Sequence, residues 1–243
     1  MGSRLCALAQ DDEGFILVAA LARDAGAHVQ TSDRASPAST GRGVHVAIAH
    51  DLGAITPRCA DVVLDFSSDA GTMRAIQIAS KAHAALLVGT TALTSTTREA
   101  LRDESTRRAV LIAPNTSLGV AVLSRLCAMA TRALGKNFDI SIAESHHAQK
   151  KDAPSGTALR LASAIRDAGG TLRDDQIVSM RGGDIIGEHL VRFAGPGEVL
   201  ELSHRATSRD LFARGALHAA RWLTGAPAGL WTMDDALGLR IEA

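Results

Sequence analysis

The 243-residue chain contains no tyrosine, and its other aromatics are only five Phe and two Trp. Single-stranded nucleic acid is held on aromatic platforms beside a basic groove, and duplexes by an excess of Lys and Arg. Neither is present, because 26 Lys and Arg stand against 26 Asp and Glu, so nucleic acid is excluded as a partner. Cysteine is scarce too: Cys6, Cys59 and Cys127 stand alone, with no Cys-x-x-Cys spacing. That pattern excludes a disulfide framework and a thiolate metal site, and it fits a reducing compartment, so a cytoplasmic protein is expected. The opening MGSRLCALAQDDEGF turns acidic too soon for a signal peptide, and no later stretch reads as long enough to span a bilayer. No membrane association is expected. Gly-x-Ser-x-Gly is also missing, which removes the nucleophile elbow of the α/β-hydrolases.

What the chain does have is apolar side chains, 46% of the total, ample for one large or two modest cores without metal or disulfide staples. Short β-branched runs alternate with helical patterns: FILVAAL from Phe15, VHVAI from Val44, DVVLDF from Asp61, ALLVG from Ala85 and AVLIA from Ala109. This is the rhythm of a parallel sheet. Segments Asp69 to His83 and Thr94 to Arg107 carry apolar residues at helical spacing and open on Asp69 and Thr94 as candidate caps, so the class is α/β. From Asn115 the pattern changes. A long helix, Ser117 to Leu134, leads into strand FDISIAES, a polar motif and a helix from Ser155 to about Ala168. QIVSMR, IIGEHLVRF and VLELSHRA then follow without helices between them, as in an antiparallel or mixed sheet covered on one face. The last helix, Arg209 to Leu223, is placed to return to the first domain, and Thr31 to Gly43 reads as a surface loop.

The motif is ESHHAQKKDAPSGT, from Glu144 to Thr157. Strand alternation puts Glu144 and His146 on one face and Ser145 and His147 on the other. After Lys150 and Lys151, the residues Asp152, Pro154, Ser155, Gly156 and Thr157 form a helix start, with Asp152 as candidate cap and Pro154 in the tolerated first turn. Small residues at a helix N-terminus let an anion reach the N–H groups, and the hydroxyls of Ser155 and Thr157 add donors, so a carboxylate fits. Two imidazoles and an ammonium beside such a cradle supply positive charge and a proton source, the needs of a reaction that reduces an unsaturated dicarboxylate. Taken singly, each residue has an ordinary structural reading; their clustering in one strand, turn and helix argues for a site.

ESHHAQKKDAPSGTA resembles the E-x-H-H-x-x-K-x-D-A-P-S-G-T-A signature of the dihydrodipicolinate reductase family of lysine and diaminopimelate biosynthesis. Further landmarks agree in order: DVVLDFS at Asp61, VGTT at Val88, APNTSLGV at Ala113, RGGDIIGEH at Arg181 and SHRATSRDLFARGALHAARWL at Ser203. The similarity covers nearly the whole chain. It implies a Rossmann-like doubly wound parallel sheet plus a second α+β domain with a mixed or antiparallel sheet. The expected boundaries are 1–113 with 214–243 for a dinucleotide-binding domain, and 114–213 for a substrate-binding and oligomerisation domain. The resemblance further implies that His146 acts as acid or base, that Lys150 donates the proton, and that His147, Ser155, Gly156 and Thr157 hold the carboxylates of a cyclic dicarboxylate. Gly89, Thr90 and Thr91 would line the nicotinamide side, and Ala113, Pro114, Asn115 and Thr116 would contact the cofactor. A homotetramer built through the sheet of the substrate domain is also implied.

The family pattern opens with a strand and the loop G-x-x-G-R-M-G, whose N–H groups cradle the cofactor pyrophosphate. Here Met1-Gly2 resembles the end of that loop and Ser3 to Gln10 the helix after it, which points to a true start upstream ahead of a truncated chain or a degenerate homologue; weak NADPH binding by residues 1–243 and two opened ladder edges are expected. At the end of the second family strand Ala22 stands where NAD-preferring sites carry an acid, and Arg23 follows, which favours the ribose phosphate of NADPH with NADH as the alternative. Two competing readings are a non-catalytic dicarboxylate-binding homologue that has lost its cofactor and a hydrolase using Glu144, His146 and His147 as metal ligands. The second is disfavoured because Lys150 and Lys151 repel a cation, and no metal is expected.

Overall fold

The computed structural model describes residues 1–20, 44–47 and 56–239. Arg23, Ala22 and the loop from Thr31 to Gly43 lie outside the described residues. The chain divides into two compact units, residues 1–116 with 212–243 and residues 117–211.

In the first unit helix α1 (Gly2–Asp11) is followed by β1 (Phe15–Leu17), β2 (Val44–Ala47), β3 (Val62–Asp65), α2 (Asp69–Ala82), β4 (Ala85–Val88), α3 (Ser95–Ser105) and β5 (Ala109–Ile112). Neighbouring side chains on these strands are buried alike: Val62 and Val63, Leu86 and Leu87, and Val110 and Leu111 are each at most 3% exposed. A strand with both faces dry must be covered on both sides, which is why these runs are continuously apolar and not alternating. One face packs on α2 and α3 through Val63, Leu86, Val88, Ile78, Ala79 and Leu101. Helix α2 is capped by Ser68, whose side chain accepts the Gly71 N–H, so Asp69, expected as the cap, is instead the first helical residue. Its carboxylate accepts the Thr94 N–H at the start of α3. Thr94 caps α3 as expected.

The second unit opens with α4 (Leu118–Leu134), then β6 (Asp139–His146), α5 (Gly156–Asp167), β7 (Ile177–Arg181), β8 (Glu188–Gly195) and β9 (Glu198–Arg205). Helix α6 (Asp210–Leu223), β10 (Gly229–Trp231) and α7 (Met233–Ala236) follow. The first sheet runs β1-β2-β3-β4-β5-β10, every described pairing parallel. Of the two opened ladder edges expected, the one on β3 is closed, because β2 pairs with it through Val46↔Val62 and Ala47↔Val63, whereas β1 stands at the end of the sheet order. The second sheet is ordered β7-β6-β8-β9, with β7 parallel to β6 and the other pairs antiparallel. The expected class, a parallel sheet with flanking helices beside a second mixed sheet, is therefore the one observed.

Even-numbered residues of β6 and odd-numbered residues of β8 face α4 and α5, so Ile140, Ile142, Val191 and Phe193 pack with Leu123, Cys127, Leu161 and Ile165. The opposite face carries Val178, Met180 and Val199, each more than half exposed, and the pairs Arg192–Glu201 and Arg205–Glu188. One expectation needs correction here. The segment Leu118–Asn137 has the length and mean hydropathy, 1.3, of a membrane span. Its Leu123 and Cys127 lie in the unit's own core, however, while Val122, Leu126 and Met129 are exposed.

Candidate active site

The second unit gathers its polar residues at one end of β6. Glu144 and His146 follow Ile140 and Ile142 on the covered face, and they stay buried, at 1% and 8% exposure, where the apolar core ends. A buried carboxylate is tolerated only if its lone pairs are filled, and donors from four residues, Arg181, Ser155, His146 and Ser179, fill them. Arg181, from the neighbouring β7, presents Nη2 to Oε1 at 2.8 Å and Nη1 to Oε2 at 3.0 Å, the two-pronged grip that suits a guanidinium to a carboxylate. The Ser155 N–H donates to Oε1 at 3.1 Å, and His146 Nδ1 lies 2.5 Å from Oε2. Burial pushes the Glu144 carboxyl up, but hydrogen bonds from Arg181, Ser179, His146 and the Ser155 N–H outweigh it and hold the pKa at about 2. Glu144 is therefore an anion at any physiological pH.

From His146 the chain leaves the sheet in a turn fastened by backbone bonds: Gly182 N–H to His146 O at 3.0 Å, Ala148 N–H to Gly183 O at 3.1 Å and Lys150 N–H to His147 O at 3.1 Å. Gly183 sits at φ +47°, a conformation only glycine adopts freely. Arg181 Nη2 also donates to the Asp152 carbonyl at 2.6 Å, so one side chain holds both Glu144 and the loop. Lys150 Nζ lies 2.8 Å from Asp152 Oδ1, and that hydrogen bond, working against slight burial, lowers the Asp152 pKa. Asp152 does not cap the helix, as it was expected to do. Ser155 is the cap, its Oγ accepting the Ala158 N–H at 3.2 Å, and α5 starts at Gly156.

The sequence-predicted residues thus fall into two groups. His146 and Ser155 are buried and engaged, whereas Gly156 is exposed and His147, Lys150 and Thr157 are half-buried. Apart from its chain neighbours and the backbone of its own helix, nothing lies within 4 Å of the place where a Cβ on Gly156 would stand. The first N–H groups of any α-helix have no intrahelical acceptor; Ser155 Oγ takes that of Ala158, and Gly156 opens the helix at an exposed position that an anion can approach. Glu144 is committed to Arg181 and His146, and among the described residues no group of three or more His, Cys, Asp or Glu is arranged to hold a metal.

Three residues not singled out from the sequence complete the cluster. Arg181 is the first. His189, opposite Glu144 on β8, is 4% exposed, and its Nε2 lies 3.2 Å from Ser155 Oγ. Burial, reinforced by His146 nearby, lowers its pKa to about 4, so it is neutral above that pH. Its ring meets that of His146 edge-on, centroids 5.2 Å apart. His204, opposite His189 on β9, brings Nε2 within 3.5 Å of Ser117 Oγ, the cap of α4, and a Cβ on Gly119 would stand 2.7 Å from its ring. Strand alternation carried the signal for both histidines, since His189 shares parity with the core residues Val191 and Phe193.

The residues read as cofactor contacts lie in the first unit at the carboxyl ends of two adjacent parallel strands, Gly89 to Thr91 after β4 and Ala113 to Thr116 after β5. Thr91 and Pro114 are exposed and Gly89 and Asn115 half-buried. A Cβ at Gly89 would stand 2.1 Å from the Phe66 ring, so the position admits no side chain and leaves its backbone bare. Thr90 and Thr116 are buried with hydroxyls committed internally. Thr90 Oγ1 donates to Asp65 Oδ2 at 2.8 Å, and Thr116 Oγ1 donates to the Phe212 carbonyl at 2.6 Å.

Comparison with known proteins places relatives on both units. The family described as "Dihydrodipicolinate reductase, N-terminus" matches residues 1–116, and "Dihydrodipicolinate reductase, C-terminus" matches residues 119–237. The 4-hydroxy-tetrahydrodipicolinate reductase of Myxococcus xanthus (strain DK1622) is 39% identical over 258 residues, covering 99% of this chain and 94% of that protein. The protein of the same name from Anaeromyxobacter dehalogenans (strain 2CP-1 / ATCC BAA-258) is 38% identical with the same coverage. Among solved structures, a dipicolinate-bound dihydrodipicolinate reductase from Paenisporosarcina sp. TG-14 superposes with a TM-score of 0.73 over 95% of this chain and 92% of that one. At 22% identity this last likeness concerns the fold.

Proposed function

The chain belongs to the dihydrodipicolinate reductase family, and from that premise we propose that it reduces 4-hydroxy-tetrahydrodipicolinate to tetrahydrodipicolinate in lysine and diaminopimelate biosynthesis. One NAD(P)H and one proton are consumed, and one water is released. The observation that carries this reading is the union of His146, Lys150 and the exposed Gly156 start of α5 in one strand, turn and helix.

The chain's own residues divide the work. Gly156 and Thr157, at the start of α5, meet a substrate carboxylate with backbone N–H groups and the Thr157 hydroxyl, and His147 stands beside them. Ser155 contributes by holding that helix start in shape. Lys150 delivers the proton and His146 acts as acid or base. Reduced nicotinamide, when bound, supplies the hydride. The residues that would hold it are Gly89, Thr91, Pro114 and Asn115, the accessible members of the two strand ends, with Thr90 and Thr116 bracing those turns from inside. NADPH is the proposed cofactor, on the Arg23 argument. A cytoplasmic homotetramer, joined through the uncovered face bearing Val178, Met180 and Val199, completes the proposal; exposed apolar patches of this kind support subunit contact.

The test follows NAD(P)H absorbance with enzymatically generated substrate. Turnover is expected at NAD(P)H concentrations high enough to offset weak binding, with NADPH preferred, and a His146→Gln, Lys150→Ala double variant should abolish it while keeping the fold. Full turnover by that variant would overturn the site, and equal kcat/KM for NADH and NADPH would overturn the cofactor choice.

A further inference from the structure

Glu144 is wholly buried, its side chain at 0% exposure, while that of His146 keeps 11%. Of the two residues the histidine is the one within reach of a ligand. Its Nδ1 is 2.5 Å from Glu144 Oε2, and its Nε2 lies on the other side of the ring, beside Gly187, where a Cβ would come within 3.0 Å. We propose that Glu144 is a positioning residue: it fixes His146 in the tautomer with hydrogen on Nδ1, so that Nε2 carries the lone pair in the space Gly187 leaves open, and Arg181 holds Glu144 in that task. The proposal rests on the reading of His146 as the acid or base of the reaction.

The hydrogen-bond inventory leads to this directly. A neutral imidazole has one N–H and one lone pair, and the partner of one nitrogen decides which is which. Glu144 Oε2 is the oxygen of an anion and can only accept, so the hydrogen between them belongs to Nδ1. The carboxylate cannot turn away, because Arg181 grips both oxygens and the Ser155 N–H holds Oε1. Nor can it be neutralised without losing those bonds. His189, packed edge-on against the His146 ring, limits its rotation from the other side. The arrangement has the logic of an acid that orients a catalytic histidine without itself exchanging a proton.

Glu144→Gln makes the idea testable, because a glutamine has one acceptor and one donor end. Two donors that cannot become acceptors, Arg181 Nη2 and the Ser155 N–H, converge on Oε1, against one, Arg181 Nη1, on Oε2, where His146 can exchange donor for acceptor; the amide oxygen will therefore settle on the Oε1 side and the NH2 will face Nδ1. An NH2 donates, which forces the hydrogen of His146 to Nε2. In protein labelled with 15N-histidine, the ring nitrogen shifts of His146, assigned by loss of its signals in His146→Gln, should report Nδ1–H in the unaltered chain and Nε2–H in Glu144→Gln. Turnover should fall by a hundredfold or more in kcat, with the Kd for pyridine-2,6-dicarboxylate changed less than threefold; a purely structural role would move neither the tautomer nor kcat selectively. Glu144→Asp, which keeps the anion, should retain the Nδ1–H signature. An Nε2–H tautomer in the unaltered protein would overturn the proposal even if Glu144→Gln failed to fold, and so would a Glu144→Gln variant with kcat near that of the unaltered enzyme. The tautomer is measured without substrate, so failure of the reductase reading shows separately, as absence of turnover in the unaltered chain.

Discussion

Arg181 uses a single nitrogen, Nη2, to hold both Oε1 of Glu144 and the backbone carbonyl of Asp152, residues on either side of the turn that carries Lys150. Removing the guanidinium leaves a buried anion without its partner, a change that costs about 3–5 kcal/mol. Arg181→Ala should therefore lower the urea midpoint by an amount of that order and depress kcat/KM at least tenfold by loosening Lys150. Arg181→Lys keeps the charge but not the two-pronged geometry, and should recover part of the stability and little of the activity. An Arg181→Ala protein as stable as the parent would contradict the role.

Acid stability should fall in two windows. Burial, with His146 nearby, depresses the His189 pKa from 6.5 to about 4. The unfolded chain therefore binds this proton first, and stability declines as pH drops from about 6.5 towards 4. For Glu144, burial raises the pKa and its four hydrogen-bond donors lower it further, from 4.5 to about 2. Its stabilisation is complete above pH 4.5, is lost as pH falls towards 2, and amounts to on the order of 3 kcal/mol. His189→Gln should flatten the first window and Glu144→Gln the second, as measured by denaturant midpoints at a series of pH values.

Gly156→Ala separates stability from binding. A Cβ there meets nothing within 4 Å beyond its chain neighbours and its own helix backbone, and alanine is a better helix former by about 0.8–1 kcal/mol in a helix interior, less at the first turn. Thermal stability should hold or rise slightly. The methyl group would stand where a carboxylate approaches the helix start, so the Kd for pyridine-2,6-dicarboxylate should rise at least tenfold. Calorimetry and a melting curve on one sample decide it.

Lys150→Ala should leave the fold nearly untouched. Its partner Asp152 has a side chain 58% exposed, and such exposed pairs contribute about 0–1 kcal/mol. Loss of a proton donor costs roughly 10²–10⁴ in kcat. A Tm within a few degrees of the parent together with that kinetic loss is the expected outcome; the reverse pattern would make Lys150 a structural residue.

How far the sequence reaches is visible at particular residues. Strand identity in the first unit was legible because β3, β4 and β5 are apolar on both faces. The parity that joins Glu144 to His146 follows from a period of two. Arg181 was not legible, since it meets Glu144 across 37 residues of sequence and only the β6–β7 register brings them together. The cap of α5 was misplaced for a related reason. Asp152 is a good capping residue by type, but the tertiary bonds from Lys150 and Arg181 claim it, and the helix begins later, at Ser155. The bond between β2 and β3 was likewise out of reach, because short parallel strands choose neighbours by the packing of the whole sheet.

Ser155 joins three elements at once: its N–H reaches Glu144 on β6, its Oγ accepts from Ala158 in α5, and the same Oγ meets His189 on β8. The last contact spans 34 residues and closes only after β8 has zipped onto β6. The helix start that is to hold the anion thus takes its final shape in the same cooperative step that completes the sheet. The Ser155 amide should then exchange its hydrogen with solvent only through openings as rare as those of Val191 and Phe193 in the core, and no partly folded form of this unit carries a working site.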